Sequence, residues 1–84
     1  MILYSSAPSL DLHGIDREYA KILTREFIDD NYKLKNEIVV IIHGIGTGIV
    51  KEATHEALFR NKKVLDFHIC GENVGCTVVK IKQR

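Results

Sequence analysis

Eighty-four residues, 45% of them hydrophobic and 27% charged, supply the apolar surface for one small domain and leave no room for a second. Twelve Lys and Arg stand against eleven Asp and Glu, a formal net charge of +1, which excludes a polybasic protein that holds nucleic acid through bulk charge alone. The charge is unevenly placed, however: residues 60–84 carry six basic against two acidic side chains, and residues 1–59 carry six against nine.

No apolar run approaches the roughly 20 residues that span a bilayer, and residues 1–8 lack the basic start of a secretory signal. The expectation is a cytoplasmic chain with no membrane partner. Cys70 and Cys76 are too few for a disulfide framework, so reduced thiols are expected; the alternative is a pair facing each other across a hairpin.

Residues 1–8 read as a tail closed by Pro8, and residues 9–84 as the domain. Residues 9–13 alternate, Leu10 and Leu12 to one side and Asp11 and His13 to the other, a strand with one buried face. Gly14 breaks it. Asp16 is placed to cap a helix running to about Asn31, with Tyr19, Ala20, Leu23, Phe27 and Ile28 as its apolar stripe. Residues 38–42 (IVVII) are apolar and β-branched throughout, as in a central strand covered on most of both faces.

A glycine-rich turn, residues 43–48 (HGIGTG), leads into a second helix reaching about Asn61, whose inward stripe is Val50, Ala53, Thr54, Ala57 and Leu58. Residues 64–70 read as a third strand, with Leu65, Phe67 and Ile69 inward and Asp66 and His68 outward. A loop from Gly71 to Gly75 precedes a fourth strand over 77–82, with Thr77, Val79 and Ile81 on one side and Val78, Lys80 and Lys82 on the other. The order β-α-β-α-β-β, with right-handed crossovers, predicts a two-layer α/β sandwich: a four-stranded mixed sheet with two helices on one face.

The first two strands each end in His-Gly before a helix, at His13-Gly14 and His43-Gly44. The crevice beyond the carboxyl ends of parallel strands is where open α/β sheets bind ligands, so two histidines arriving there are catalytic candidates. Asp11 shares a strand side with His13 and can orient its imidazole or hold a cation. Gly44, Gly46, Thr47 and Gly48 lead into a helix N-terminus, whose free amides and dipole favour an anion, most often phosphate. Lys51 sits in that helix's first turn, where a cation is unfavourable to the helix dipole unless an anion is bound.

The turn is not a P-loop, since Gly-Lys-Ser/Thr is missing at the required spacing. Its G-x-G-x-G is not a dinucleotide fingerprint either. His55, beside Glu56 and away from the apolar stripe, reads as a solvated surface residue. His68, Cys70 and Cys76 lack a fourth ligand and match no common structural zinc spacing, so no metal site is expected there. Lys62, Lys63, Lys80 and Lys82 are candidates for nucleic-acid contact. The competing explanations are dipole complementarity at a helix end and protection of a sheet edge.

Leu10-Asp11-Leu12-His13-Gly14, then His43-Gly44-x-Gly46-Thr47-Gly48, then a glycine-rich turn before Thr77-Val78-Val79, resembles the small MutS-related (Smr) domain over about residues 9–82. The resemblance implies a fold similar to the C-terminal domain of translation initiation factor three. It also implies endonuclease activity, on DNA in some members of the family and on RNA in others, including mRNA on stalled ribosomes. Asp11 and His13 fall on the family's L-D-L-H motif, and His43, Gly44 and Gly46 on its His-Gly-x-Gly motif. The chain departs from the family at the third motif, where Gly71-Glu72 replaces the common glycine pair. The resemblance further implies nucleic acid as partner, association with ribosomes, and a place as the C-terminal part of a larger MutS-related protein.

The expected reaction is therefore phosphodiester cleavage. His13, oriented by Asp11, serves as general base or acid, His43 as its counterpart or a phosphate ligand, and the glycine loop with Lys51 as the phosphate cradle. RNA carries its own nucleophile, the 2′-hydroxyl, and is favoured. DNA nicking calls for a divalent ion, Mg or Mn, with Asp11 as its ligand. Two rival readings remain: a non-cleaving module for branched or single-stranded nucleic acid, which needs neither Asp11 nor His13, and a small-anion or nucleotide-binding enzyme resting only on the helix N-terminus.

Overall fold

A computed structural model describes residues 6–71 and 73–83. The chain order is β1 (Ser9–Asp11), α1 (Arg17–Lys33), β2 (Ile38–Ile42), α2 (Ile49–Phe59), β3 (Val64–Cys70) and β4 (Asn73–Ile81). The sheet order is β1-β2-β4-β3. β1 and β2 are parallel, and β4 runs antiparallel to both of its neighbours, β2 and β3. This is the mixed four-stranded sheet with two helices that the element order predicts.

Local chemistry accounts for the helix limits. Asp16, in extended conformation, accepts a hydrogen bond from the Tyr19 amide at 2.9 Å and caps α1. At the other end the buried Asn31 donates to the Phe27 carbonyl at 2.8 Å and accepts from Asn36 Nδ2 at 2.8 Å, so a polar side chain is satisfied inside the core. Helix α2 begins at Gly48, whose φ of +84° suits a residue without Cβ.

The core comprises Leu12, Ala20, Ile28, Val39, Ile41, Leu58, Val79 and Ile81, all at most 1% exposed. Val39 and Ile41 meet the helices, while Val40 and Ile42 face the other side of β2, where Ile42 is 36% exposed. Tyr19 departs from the predicted stripe of α1: it is half exposed, and Thr24 and Asn31 occupy the buried face in its stead.

Leu65 is a second correction. It is exposed, because the β3–β4 register shifts between Val64, opposite Ile81, and Asp66, opposite Lys80. Two steps on β3 thus match one on β4. The extra residue bulges out, Val64 takes the inward position, and strict alternation fails. The fourth strand also starts earlier than expected, at Asn73, so most of the predicted 71–75 loop is strand. Glu72, Arg84 and residues 1–5 of the predicted tail lie outside the described residues.

Cys70 and Cys76 form a disulfide, with Cα atoms 5.5 Å apart across the β3–β4 hairpin. The expectation of reduced thiols gives way to the cross-hairpin pair. Among the described residues no helix is long and apolar enough to cross a membrane.

Among the described residues, the hydroxyls of Thr24 and Thr54 are buried without a hydrogen-bond partner. Valine keeps the shape of threonine and removes the unpaired oxygen, whose burial costs about 1–3 kcal/mol. Thr54→Val is therefore expected to be more stable by about 1 kcal/mol, which is a rise of about 4–8 °C in a thermal unfolding scan of a domain this size. A fall in Tm contradicts this account of the residue.

Candidate functional site

The parallel pairing of β1 with β2 places Asp11 opposite Ile42, so residues 12–14 and 43–48 emerge at one edge of the sheet. Leu12 extends the ladder by donating its amide to the Ile42 carbonyl at 2.7 Å, and its side chain is fully buried. Asp11 and His13, on either side of this anchor, are exposed. Asp11 Oδ1 accepts from the His13 amide at 3.0 Å and lies 2.8 Å from His13 Nδ1. These two bonds hold the Asp11 carboxyl below the ordinary carboxylate range. An ionised carboxylate only accepts, so Nδ1 carries a hydrogen and the reactive lone pair of the neutral ring is on Nε2.

Gly44 makes the juxtaposition possible. Its φ is +83°, and a Cβ built there would lie 3.3 Å from the His13 Cβ. The backbone leaving β2 thus runs against His13 where any side chain would push it away. Opposite, the Gly75 carbonyl of β4 accepts from the amides of both His43 and Gly44, at 3.0 and 2.9 Å. No backbone hydrogen bond among the described residues uses the amides of Ile45, Gly46, Thr47 or Gly48. Gly48 offers α2 no side-chain cap. These amides stand at the N-terminus of α2, with Lys51 in its first turn, next to the turn that carries His13.

His43 does not join them at the surface. It is 4% exposed and its ring turns inward. Nε2 lies 2.8 Å from Thr77 Oγ1, and Nδ1 lies 3.2 Å from its neighbouring carbonyl, Gly44 O. With both nitrogens engaged it is a poor counterpart for His13 and a poor phosphate ligand. His55 corrects the reading as a solvated residue: its Nε2 also reaches Thr77 Oγ1 at 2.8 Å. Its ring meets His43 edge-on at 5.8 Å and packs on Phe67 at 5.0 Å. The inward hydroxyl of Thr77, flanked by core positions Val79 and Ile81, is the signal in the sequence that such partners exist.

Burial is the main force holding both imidazoles below their ordinary value of 6.5. The Lys51 charge adds to it in each ring, and the proximity of His43 adds to it for His55. An unfolded chain therefore binds more protons than the native one once the pH drops toward 6.5. Stability from this pair is fully present above that pH and is lost as pH falls. The carboxylates Asp11 and Asp29 act in a separate window below their ordinary value of 3.8. Urea midpoints are expected to be level from pH 8 to 7 and to decline from about 6.5 toward 5, and His55→Phe flattens that decline. An equally steep decline in the variant contradicts the assignment.

The four candidate lysines are not brought to this edge. Lys80 lies opposite Ile38, at the start of β2, and pairs with Glu37 at 3.9 Å. That is four residues from Ile42, roughly 13 Å along the strand. Lys63 forms an ion pair with Asp29 of α1 and lies over the Tyr32 ring, 5.4 Å from its centroid. Lys62 and Lys63 line a cleft between the helices with Lys21, Arg25 and Glu56. Lys82, exposed beyond the end of β4, donates its amide to the Lys63 carbonyl at 2.7 Å. The basic end and the His13 edge are opposite ends of the sheet.

The chain is similar to the endonuclease MutS2 of Streptococcus suis, 40% identical over 76 residues, covering 87% of this chain and 10% of that protein. It is also similar to the endonuclease MutS2 of Clostridium acetobutylicum, 37% identical over 83 residues, covering 95% of this chain and 10% of that one. The chain therefore spans about a tenth of the length of the curated relatives it matches. Among solved structures, the Smr domain of Thermus thermophilus MutS2 superposes with a TM-score of 0.86 at 30% identity, covering 90% of this chain and 99% of that one. YdaL, a stand-alone small MutS-related protein from Escherichia coli, shares the fold with a TM-score of 0.83 at 21% identity, over 89% of this chain and 64% of its own. The Smr domain family itself matches residues 10–82, and with nearly the whole chain inside that match the protein belongs to the Smr domain family.

Proposed function

We propose that this chain is an endonuclease domain that cleaves RNA at the His13 edge. The observation that carries the reading is the Asp11–His13 pair, exposed and fixed at 2.8 Å, beside a loop of uncovered amides. The amides of Gly46, Thr47 and Gly48, with Lys51, hold the scissile phosphate and stabilise charge developing on its oxygens. His13 Nε2 takes the proton of the 2′-hydroxyl, and O2′ attacks phosphorus. The bond to the 5′-oxygen breaks, that oxygen takes a proton from water, and the hydroxide left behind takes back the proton held by His13. The products are a 2′,3′-cyclic phosphate and a 5′-hydroxyl. Asp11 stabilises the imidazolium that forms and keeps the ring in the reactive tautomer. The relatives named endonuclease MutS2 support a nuclease role.

DNA nicking by a resident Mg or Mn ion fits less well. Asp11 is a lone carboxylate whose Oδ1 is already committed to His13, and no group of three or more potential ligands stands together among the described residues. Further expectations are that the domain is the C-terminal part of a larger MutS-related protein, that ribosomes are its setting, and that Lys80 and Lys82 touch nucleic acid outside the cleavage site.

The deciding experiment is a cleavage panel on single-stranded RNA and supercoiled plasmid, each with and without EDTA, using wild type, Asp11→Ala and His13→Ala. RNA cut in EDTA by wild type alone is the expected result. Salt-sensitive binding without cleavage under any condition favours a binding module, and equal cutting by all three proteins refutes the site.

A further inference from the structure

We infer that Thr77 and His55 are positioning residues, which lock His43 in one tautomer and thereby set the backbone of the phosphate loop. The inference rests on the cleavage reading for its effect on rate, but not for its structural content. The Gly44 carbonyl only accepts, so a bond at 3.2 Å requires hydrogen on His43 Nδ1. His43 is buried and stays neutral, which leaves a lone pair on Nε2. The fully buried Thr77 hydroxyl has one hydrogen and gives it to that lone pair over 2.8 Å. His55 Nε2, also 2.8 Å from Oγ1, must then be the donor, so its hydrogen is on Nε2 and its lone pair on Nδ1.

The chain of donation runs one way: His55 to Thr77, Thr77 to His43, His43 to the Gly44 carbonyl. Adding a proton to His43 Nε2 turns the Thr77 hydroxyl around and forces His55 into its other tautomer, so this direction of donation belongs to the neutral His43 ring. The groups facing the pair are Thr77 from β4, Phe67 from β3, Lys51 from α2 and the Gly44 carbonyl at the end of β2. None of them is an anion that would hold a second charge.

The consequence reaches the cradle through one peptide plane. In a trans peptide the C=O and N–H point in opposite directions. Turning the Gly44 carbonyl toward the His43 ring turns the Ile45 amide away from it. Gly75 holds the preceding two amides, so the entry to the loop is fixed from both sides. Lost imidazole bonds free this peptide to rotate, which misplaces the donors that follow.

The test needs the intact chain labelled with 15N. Imidazole spectra of the wild type at pH 7.5 are expected to show His43 protonated at Nδ1 and His55 protonated at Nε2. The reverse pattern, or one tautomer shared by both, overturns the relay without any variant. Thr77→Val is expected to shift the Ile45–Gly48 amide resonances and lower kcat for RNA cleavage about 10–100-fold with KM nearly unchanged; Thr77→Ser restores both. Thr77→Val with unmoved loop amides or wild-type kcat overturns the positioning role. If the wild type cuts no RNA, the cleavage reading fails, while tautomers and loop amides still decide this one.

Discussion

His13→Ala is expected to lower kcat for RNA cleavage by about 10²–10⁴-fold, the range that general acid–base catalysis supplies. The side chain is exposed and makes its one described hydrogen bond to Asp11, so its removal leaves the core, anchored at this edge by Leu12, undisturbed. Thermal unfolding of the variant should overlay that of wild type, which makes the rate the sole readout. Asp11→Asn is the informative companion. An amide can still accept from the His13 backbone, but it removes the negative charge that stabilises an imidazolium. Its loss should therefore be smaller than that of His13→Ala and greatest at the pH where the wild type is fastest. A His13→Ala protein that retains wild-type kcat removes this residue from the mechanism.

Gly44→Ala should damage both fold and reaction. The left-handed φ of +83° costs an L-residue about 1–2 kcal/mol, and the new methyl meets His13 Cβ at 3.3 Å. Either His13 moves off the cradle or the loop does, and a displacement near 1 Å is enough to cost about 100-fold in rate. Gly71→Ala separates the two effects. Its φ is +46° and nothing lies within 4 Å of the added carbon, so it carries backbone strain without touching His13. Both variants should melt at lower temperature, and only Gly44→Ala should lose cleavage at a temperature where both are folded. Equal losses in the two would mean that the contact with His13 is irrelevant.

What could be read from the residues alone divides along physical lines. Alternation in β1, a capping aspartate before α1 and an unbroken β-branched run in β2 identify these elements, because each signal depends on neighbours in the chain. The pairing of Asp11 with His13 follows from the same period of two. Leu65 is misplaced because a bulge is a property of two strands, visible only once β3 lies against β4. His55 is misplaced because its partners, Phe67 and Thr77, come from the far end of the chain. The distance of the lysines from the His13 edge has a topological reason. Their grouping along the sequence says nothing of which end of the sheet they occupy until β4 is known to run antiparallel beside β2. His43 shares the His-Gly motif with His13, yet one ring turns in and the other out, a difference decided by the hydroxyl waiting in β4.

The position of β4 bears on how the domain comes into being. Last in the chain and interior in the sheet, it joins β3 to the parallel pair β1–β2. A ribosome that has made residues 1–72 has produced both helices and three strands with an unfilled slot between β2 and β3. The core lacks Val79 and Ile81, and His43 lacks the threonine that orients it. Strand pairing of such long sequence separation is slow, and open edges invite pairing with other chains. Completion of the sheet and assembly of the His13 edge thus become a single late event, reached only once the last strand has left the exit tunnel.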